Sequence, residues 1–272
     1  MTTPSQGADD QLARLRDIVA APGPGFDIVE AALACAALDR PGLDLAPYRD
    51  HLAAIAAAMR VRDDLRPPDL LAALLVRAHG YRGDGETYDD LANADLTRVI
   101  DRRRGLPVAL AILWMHAARA RGWRCVALNV PAHVLVRLDA GGGSWVVDPF
   151  DGGRTLDRAA FAARLRATAP SGDGADPGAL DDRAVLLRLQ NNIRVRLQEA
   201  GETARALDVM RRMLVVAPDV PDLWEAAAAL HAAQGGLRGA LDCFDAAIAL
   251  AQDRATRQRV GAARARLASR LN

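Results

Sequence analysis

The chain has 272 residues, enough for one large or two ordinary domains whose cores need neither disulfides nor metal. Its 35 basic and 34 acidic residues are interspersed and leave a formal charge of +1, which argues against nucleic acid and anionic membranes as partners. Every basic residue is arginine, which excludes Schiff-base chemistry and a lysine general base.

The cysteines and the apolar segments indicate the compartment. Cys35, Cys125 and Cys243 are widely spaced and form no CxxC pattern, so neither a disulfide framework nor a zinc site is expected, and no cofactor is implied. The polar, acidic start, Met1–Asp10, does not resemble a secretory signal. The apolar run Val108–Met115 is far shorter than the roughly 20 residues of a membrane span. We therefore expect a soluble, cytoplasmic protein.

Helical periodicity dominates the first part of the chain, up to His79. Apolar residues recur every three or four positions in segments near 9–20, 26–38, 46–63 and 68–79. Three glycines in Gly80–Glu86 predict a loop, and a further helix is expected over Asn93–Arg103. The next segment, between Pro107 and Gly122, is apolar nearly all round, so it is predicted to be the buried central helix of its domain.

After Gly122 the pattern changes to that of β-strands. RCVALNV, HVLVRL and SWVVDPF predict three antiparallel strands, the last two joined by a turn at Asp139–Gly142. In that register, positions whose numbers sum to 281 face each other, which places His133 opposite Asp148. Their side chains would share one face of the sheet, within hydrogen-bonding reach.

The C-terminal part contains an internal repeat. A helix near 157–168 is followed by a Gly-, Pro- and Asp-rich linker with a boundary near Asp173. A shift of 34 residues, the tetratricopeptide period, aligns several glycines, alanines and aspartates beyond it. The aligned pairs are Gly201 with Gly235, Ala206-Leu207-Asp208 with Ala240-Leu241-Asp242, Ala217 with Ala251 and Asp219 with Asp253. Helices are expected near 184–200, 203–216, 221–234, 238–251 and 254–270, the last one capping the open end.

A histidine beside a carboxylate is the base-and-orienter half of a nucleophilic triad. The nucleophile should lie at the amino end of the buried helix, where the helix dipole lowers the pKa of a thiol. No cysteine, serine or threonine occurs between Thr97 and Cys125, and Ala109 stands near the expected position. The usual nucleophile is therefore missing.

Three sequence blocks resemble one family. YDDLANADLTRVIDRRRGLPVALAILW, NVPAHVLVRL and WVVDPFDGGRTL are similar to SirB-type transglutaminase-like proteins, which carry tetratricopeptide repeats after a papain-like core. The resemblance covers roughly residues 25–260 and is most specific over Tyr88–Arg154. It implies a Cys-His-Asp order in which His133 and Asp148 match the last two members. The family often has serine after its GxPx segment, where this chain has Ala109.

The resemblance also adds candidate ligand-binding positions. Tyr88, Asn93 and Asn129 match the family pattern, although each also suits a structural role in a loop or cap. Arg137 has the strand parity of His133 and could bind an anion in the same cleft, or it could face solvent. The arginine run 102–104 has the same two interpretations, and a solvated helix end is favoured.

The residues leave several interpretations of the His133–Asp148 pair. It could be a functional cleft pair or a hydrogen bond that secures the hairpin. Cys125 could replace the lost nucleophile, although a thiol at a strand start is usually inert packing.

We expect an α+β fold with two domains. A transglutaminase-like domain with a helical N-terminal part and a small antiparallel sheet is expected over 9–172, and a helical repeat domain over 182–272. The preferred function is a non-catalytic adaptor that binds a protein or peptide through the cleft and the repeats. A hydrolase or acyltransferase that uses His133 and Asp148 with a displaced nucleophile is the alternative, and a purely structural scaffold is the third possibility.

Overall fold

A computed structural model describes residues 4–21, 25–60, 65–130, 133–168 and 178–269. They form two compact units, one up to Leu189 and one from Gln190 onward. The predicted boundary near Asp173 lies outside the described residues. Within the described ranges, none of the helices combines the length and the apolar character needed to cross a bilayer.

The first unit opens with helices where the periodicity predicts them. They are α1 (Pro4–Val19), α2 (Ile28–Asp39), α3 (Ala46–Arg60) and α4 (Pro67–Leu71). A π-helical segment, Ala72–Ala78, continues α4, and its wide turn was not distinguished from an α-helix in the sequence. The predicted end of the third helix, 61–63, lies outside the described residues.

The segment before the central helix differs from the prediction in two respects. The predicted loop at 80–86 contains a two-residue strand, β1 (Arg82–Gly83), which pairs in parallel with β2 (Arg104–Gly105). The helix predicted over 93–103 is α5 (Leu96–Arg102), and Asn93 lies instead in a short 3-10 turn. Helix α5 begins later than predicted because the Asp95 carboxylate accepts its first backbone N–H groups.

The central helix, α6 (Pro107–Ala120), is buried as its composition predicts. Eleven of its 14 residues are buried, so it has no solvent-facing stripe. It contacts α2, α3, α4 and the sheet strands that follow it.

The antiparallel sheet contains more strands than the three that were predicted. They are β3 (Arg124–Val130), β4 (His133–Ala140), β5 (Gly143–Asp148), β6 (Arg154–Leu156) and β7 (Ala179–Leu180). Within the described residues their order is β6-β5-β4-β3-β7. The two edge strands were missed because two or three residues show no measurable alternation.

The β4–β5 register corrects the prediction by two residues. Paired positions sum to 283 rather than 281, as in Ala140 with Gly143. The turn is therefore Gly141–Gly142, both with positive φ (55° and 77°), which is the two-residue hairpin that glycine favours. Because the shift is even, every side chain keeps its predicted face of the sheet.

The two faces of the sheet are covered by different elements. Leu128, Leu135 and Leu156 pack with side chains of α7 (Arg158–Thr168). Buried Val134 and Val136 have the opposite parity, and α6 packs against their strand.

The second unit is helical, in the positions predicted from the repeat. After α8 (Asp182–Glu199), which contributes to both units, come α9 (Thr203–Val216), α10 (Pro221–Ala233), α11 (Leu237–Leu250) and α12 (Arg254–Ala268). From α9 onward each helix packs against the next. Residue 270, the predicted end of the last helix, lies outside the described residues.

Gly153 provides a test of packing against α6. Its φ is 78°, and a Cβ there would lie 2.6 Å from the Trp114 ring. We expect Gly153→Ala to lower the free energy of unfolding by roughly 2–4 kcal/mol, through left-handed strain plus the clash. Gly142→Ala is the matched control, because φ is 77° and no atom lies within 4 Å of the added Cβ. It should cost about 1–2 kcal/mol in urea unfolding, and equal losses for both variants would contradict the packing argument.

Candidate functional site

The site is built where β4 begins and β5 ends. Side chains alternate along a strand, so His133 and Leu135 lie on one face of the sheet, and the register adds Asp148 to that face, diagonal to His133. The predicted neighbours are thus brought together, although not directly opposite each other.

Two short contacts join the pair. His133 Nε2 lies 3.0 Å from Asp148 Oδ1 and 2.9 Å from Oδ2. His133 is 7% exposed and Asp148 2% exposed. Since Nε2 faces the carboxylate, Nδ1 is the ring nitrogen that a reacting group would have to use.

Asp148 is also held by the turn that follows it. Its Oδ1 accepts the backbone N–H groups of Phe150 (3.0 Å) and Asp151 (3.2 Å). Burial alone would raise the pKa of Asp148, but the His133 hydrogen bond and charge, with the two backbone donors, hold that pKa below its ordinary value. Asp148 is therefore ionised and links β5 to its turn.

Phe150 covers the histidine ring. The two ring centroids are 5.9 Å apart at 83°, an edge-to-face contact. The backbone N–H of Gly83 donates to the Phe150 carbonyl (3.2 Å), and a Cβ on Gly83 would lie 2.6 Å from the Phe150 ring. Tyr88, 37% exposed, packs its ring 6.0 Å from that of Phe150 on the outer side. The His133 ring therefore contacts Phe150, and Phe150 in turn contacts Tyr88.

The amino end of α6 offers no reactive side chain. Leu106 precedes Pro107 at the helix start, and the Leu106 N–H donates to the Asn93 carbonyl (2.9 Å). Ala109, at the expected nucleophile position, is fully buried. Among the described residues, no three or more His, Cys, Asp or Glu side chains are placed to hold a metal ion.

Asn93 has a structural role in the loop that leads to α6. Its side-chain amide donates to the Thr87 carbonyl (2.6 Å), and its oxygen accepts from Arg102 (3.3 Å). Asp84 pairs with Arg102 at 3.0 Å. The backbone N–H of Thr87 is the main cause that lowers the pKa of Asp84 to about 2, against a smaller opposing effect of burial. These contacts hold the loop.

The arginine run is not the solvated helix end that was favoured. Arg102 pairs with Asp84, Arg103 donates to Tyr81, and Arg104 pairs with Glu86 at 3.1 Å. Each arginine points to a different segment, which spacing along one helix end does not reveal.

Arg188 of α8 was not predicted, yet it binds the ends of the β3–β4 connection. It donates to the carbonyls of Val130 (3.2 Å) and His133 (3.0 Å) and to the side-chain oxygen of Asn129. Burial lowers the pKa of Arg188. Asn129, a predicted ligand-binding residue, is thus engaged with Arg188. No sequence signal joins residues so far apart in the chain.

The remaining predicted residues lie away from the pair. Cys125 pairs with Leu138 on the opposite face of the sheet from His133, and burial raises the pKa of its thiol to about 12. Arg137 shares the face of His133, but it lies four residues along β4, with Nε 3.9 Å from Asp139. Neither side chain completes the pair.

Acid sensitivity tests the role of Asp148. Because its pKa is lower in the folded state, its contribution to stability is present above the ordinary value of 3.8 and lost as pH falls through the folded value. We expect Asp148→Asn to remove that part of the pH dependence of the free energy of unfolding, below about pH 4. Asp151→Asn is the control, since that side chain is 58% exposed in the same turn. Equal pH profiles for wild type and Asp148→Asn would contradict the assignment.

Comparison with known proteins identifies the family. The profile described as "Transglutaminase-like superfamily" matches residues 46–191. A UPF0162 protein of Xylella fastidiosa (strain Temecula1) is 33% identical over 150 residues, and the chain spans about half (53%) of that relative's length and 53% of its own. A UPF0162 protein of Pseudomonas aeruginosa is 28% identical over 244 residues, which are 80% of this chain and 85% of the relative.

Among solved structures, a crystal structure of menin aligns with 89% of this chain and 69% of its own chain. The sequence identity is 11% and the TM-score 0.42, which is too low to assign a fold. The superfamily profile, by contrast, covers more than half of the chain and includes α6, His133 and Asp148. The chain therefore belongs to the transglutaminase-like superfamily.

Proposed function

We propose that this chain is a non-catalytic, SirB-type transglutaminase-like adaptor that binds a protein or peptide through its C-terminal helices. The observation that carries the non-catalytic part of the proposal is the closed state of the would-be catalytic pair; an adaptor that bound through the cleft would leave His133 partly exposed, so we assign binding to the C-terminal helices. His133 and Asp148 are 7% and 2% exposed, and Phe150 packs against the imidazole. A general base must come within hydrogen-bonding distance of the group it deprotonates, and this one is covered.

The missing nucleophile points in the same direction. Ala109 has no group to deprotonate, and Cys125 lies on the other face of the sheet with a raised pKa. Members of a triad act as a unit, so loss of one member costs orders of magnitude in rate. The pair is better explained as a buried, charge-assisted hydrogen bond that joins β4 to the turn after β5.

Repeated backbone geometry supports tetratricopeptide-type repeats in the second unit. Gly201 and Gly235, 34 positions apart, have φ of 75° and 76°. Both accept a hydrogen bond from the residue two positions later, at 2.9 Å. Ala206 and Ala240, on the helices that follow, are fully buried, which lets helices approach closely. Ala240 and Phe244 also have the Ala-x3-Phe spacing of this repeat class.

Helical repeats of this kind bind partners along the concave surface of the stack. We assign that surface to the first helix of each pair, which in the second unit is α10, with α11 as the second helix. Ala229 of α10 and Ala249 of α11 are both exposed. They provide matched positions for a test.

The cysteines support a cytoplasmic location. Cys125 and Cys243 are buried, and neither forms a disulfide within the part of the chain that the structure describes. Proteins with only reduced, buried thiols suit a reducing compartment.

The experiment is crosslinked affinity capture from the native host, with wild type, Ala229→Arg, Ala249→Arg and His133→Asn as baits. We expect Ala229→Arg to lose the partner, because a charged side chain then occupies the binding face, while Ala249→Arg and a folded His133→Asn retain it. Mass spectrometry of the captured protein checks for chemistry. A cleaved, deamidated or covalently joined partner that disappears with His133→Asn would overturn the proposal, as would equal capture by Ala229→Arg and wild type.

A further inference from the structure

A second polar cluster lies outside the His133–Asp148 site. It joins His51 of α3, His79 after the π-helical segment, Tyr81 before β1 and Arg103 at the end of α5. His51 Nε2 lies 2.8 Å from Tyr81 Oη and 2.6 Å from Arg103 Nη1. The rings of His51 and His79 are 5.1 Å apart at 89°. The proposed adaptor function makes no use of this cluster.

The hydrogen-bond directions fix the state of His51. An arginine can only donate, so His51 Nε2 accepts from Arg103, and its proton resides on Nδ1. Arg103 also donates to Tyr81 Oη, so the Tyr81 hydroxyl shares the single Nε2 lone pair of His51 with Arg103. His51 is therefore neutral in this network.

Charge and burial act together on the two histidines. Burial, then the Arg103 charge and His79, lowers the pKa of His51 to about 4. Burial and Arg103 also lower the pKa of His79. The pKa of Tyr81 is raised to about 12, mainly by burial. Asp101, which accepts from Tyr48 Oη at 3.0 Å, is the carboxylate whose charge bears on this cluster, through Tyr81.

Arg103 differs from its two neighbours in charge pairing. Arg102 and Arg104 each pair with a carboxylate, at 3.0 and 3.1 Å. Within the described ranges, the hydrogen bonds and the ring contact of Arg103 involve only neutral groups: His51, Tyr81 Oη and the Tyr81 ring, 4.9 Å from the guanidinium carbon. All of its hydrogen bonds there use Nη1, so Nε and Nη2 remain available as the two-pronged fork that binds oxyanions.

Two further features favour a ligand at this position. The His79 ring nitrogens have no hydrogen-bond partner among the described residues, and the residue is partly exposed. Arg103 has φ of 57°, the one non-glycine residue with positive φ in the part of the chain that the structure describes. Glycine would adopt this helix-end conformation without strain, yet the position carries a guanidinium.

We propose that Arg103, with His51 and His79, binds a phosphate dianion, either free or as the end group of a small molecule. The Arg103 fork supplies two donors and the neighbouring imidazoles supply the rest, which suits the several acceptor oxygens of phosphate. A bound dianion offsets the Arg103 charge and thereby raises the pKa of both histidines. Binding therefore takes up protons, and the affinity increases as the pH falls.

The experiment is an NMR titration of the histidine ring signals of the full chain with inorganic phosphate, at ionic strength held constant with chloride. We expect saturable shifts of the His51 and His79 signals with phosphate. Because phosphate loses its dianionic form as the pH falls through this range, the pH dependence is measured with sulfate, a dianion of constant charge. The dissociation constant of sulfate should be several-fold smaller near about pH 6 than near about pH 8.

Three variants make the test specific. Arg103→Gly keeps the left-handed backbone and removes the fork, so the affinity should fall at least about tenfold. Arg104→Ala, which removes an arginine already paired with Glu86, should bind as wild type does. His79→Phe keeps a ring beside His51 and should reduce the pH dependence.

Methyl phosphate separates the two sources of the dianion. Binding of both compounds assigns the site to a phosphate monoester, and binding of inorganic phosphate alone assigns it to the free ion; either result supports the proposal. The proposal would be overturned by phosphate-induced shifts that do not saturate, or by shifts of the same size when chloride replaces phosphate. Wild-type affinity in Arg103→Gly would overturn it as well. The adaptor proposal is unaffected by any of these results, because it rests on different residues.

Discussion

Burial of α6 on all sides is the constraint on which the rest of the first unit depends. A helix without a solvent-facing stripe needs partners around its whole circumference, and α2, α3, α4 and the sheet supply them. The amino end of α6 also needs hydrogen-bond partners, since the first N–H groups of a helix have no intrahelical acceptor. Pro107 removes one such N–H, and the Asn93 carbonyl accepts that of Leu106.

The three arginines before α6 connect the amino end of this helix to three surrounding segments. Arg102 holds the loop through Asp84, Arg103 contacts Tyr81, and Arg104 pairs with Glu86. The β1–β2 pair brings Gly83 close enough for the Phe150 ring to pack on its backbone. Phe150 in turn covers His133. The same contacts that fix the start of α6 therefore also hold Phe150 against the His133 ring.

Much of this arrangement could be predicted from local sequence. Periodicity located the long helices and the three main strands, and strand parity placed His133 and Asp148 on one face. The exact register could not be predicted, because DAGGG allows more than one glycine turn and only the backbone shows that Gly141–Gly142 is used.

The unpredicted contacts share a physical cause. Arg188 reaches the His133 carbonyl from 55 positions along the chain, and Phe150 covers the ring only because Gly83 lacks a side chain. Neither relation appears as a period or a spacing. The lack of Cys, Ser and Thr between Thr97 and Cys125 is visible in the sequence, whereas the packing of Phe150 on His133 depends on long-range contacts and required the structure.

The central proposal is that the hydrogen-bonded His133–Asp148 pair stabilises the fold. A double-mutant cycle with His133→Asn, Asp148→Asn and the double variant, followed by urea unfolding, tests it most directly. The account predicts a coupling energy of about 1–3 kcal/mol between the two positions, as for side chains in one buried network. If each variant instead unfolds within about 0.5 kcal/mol of wild type, the pair contributes no stability and the claim is contradicted.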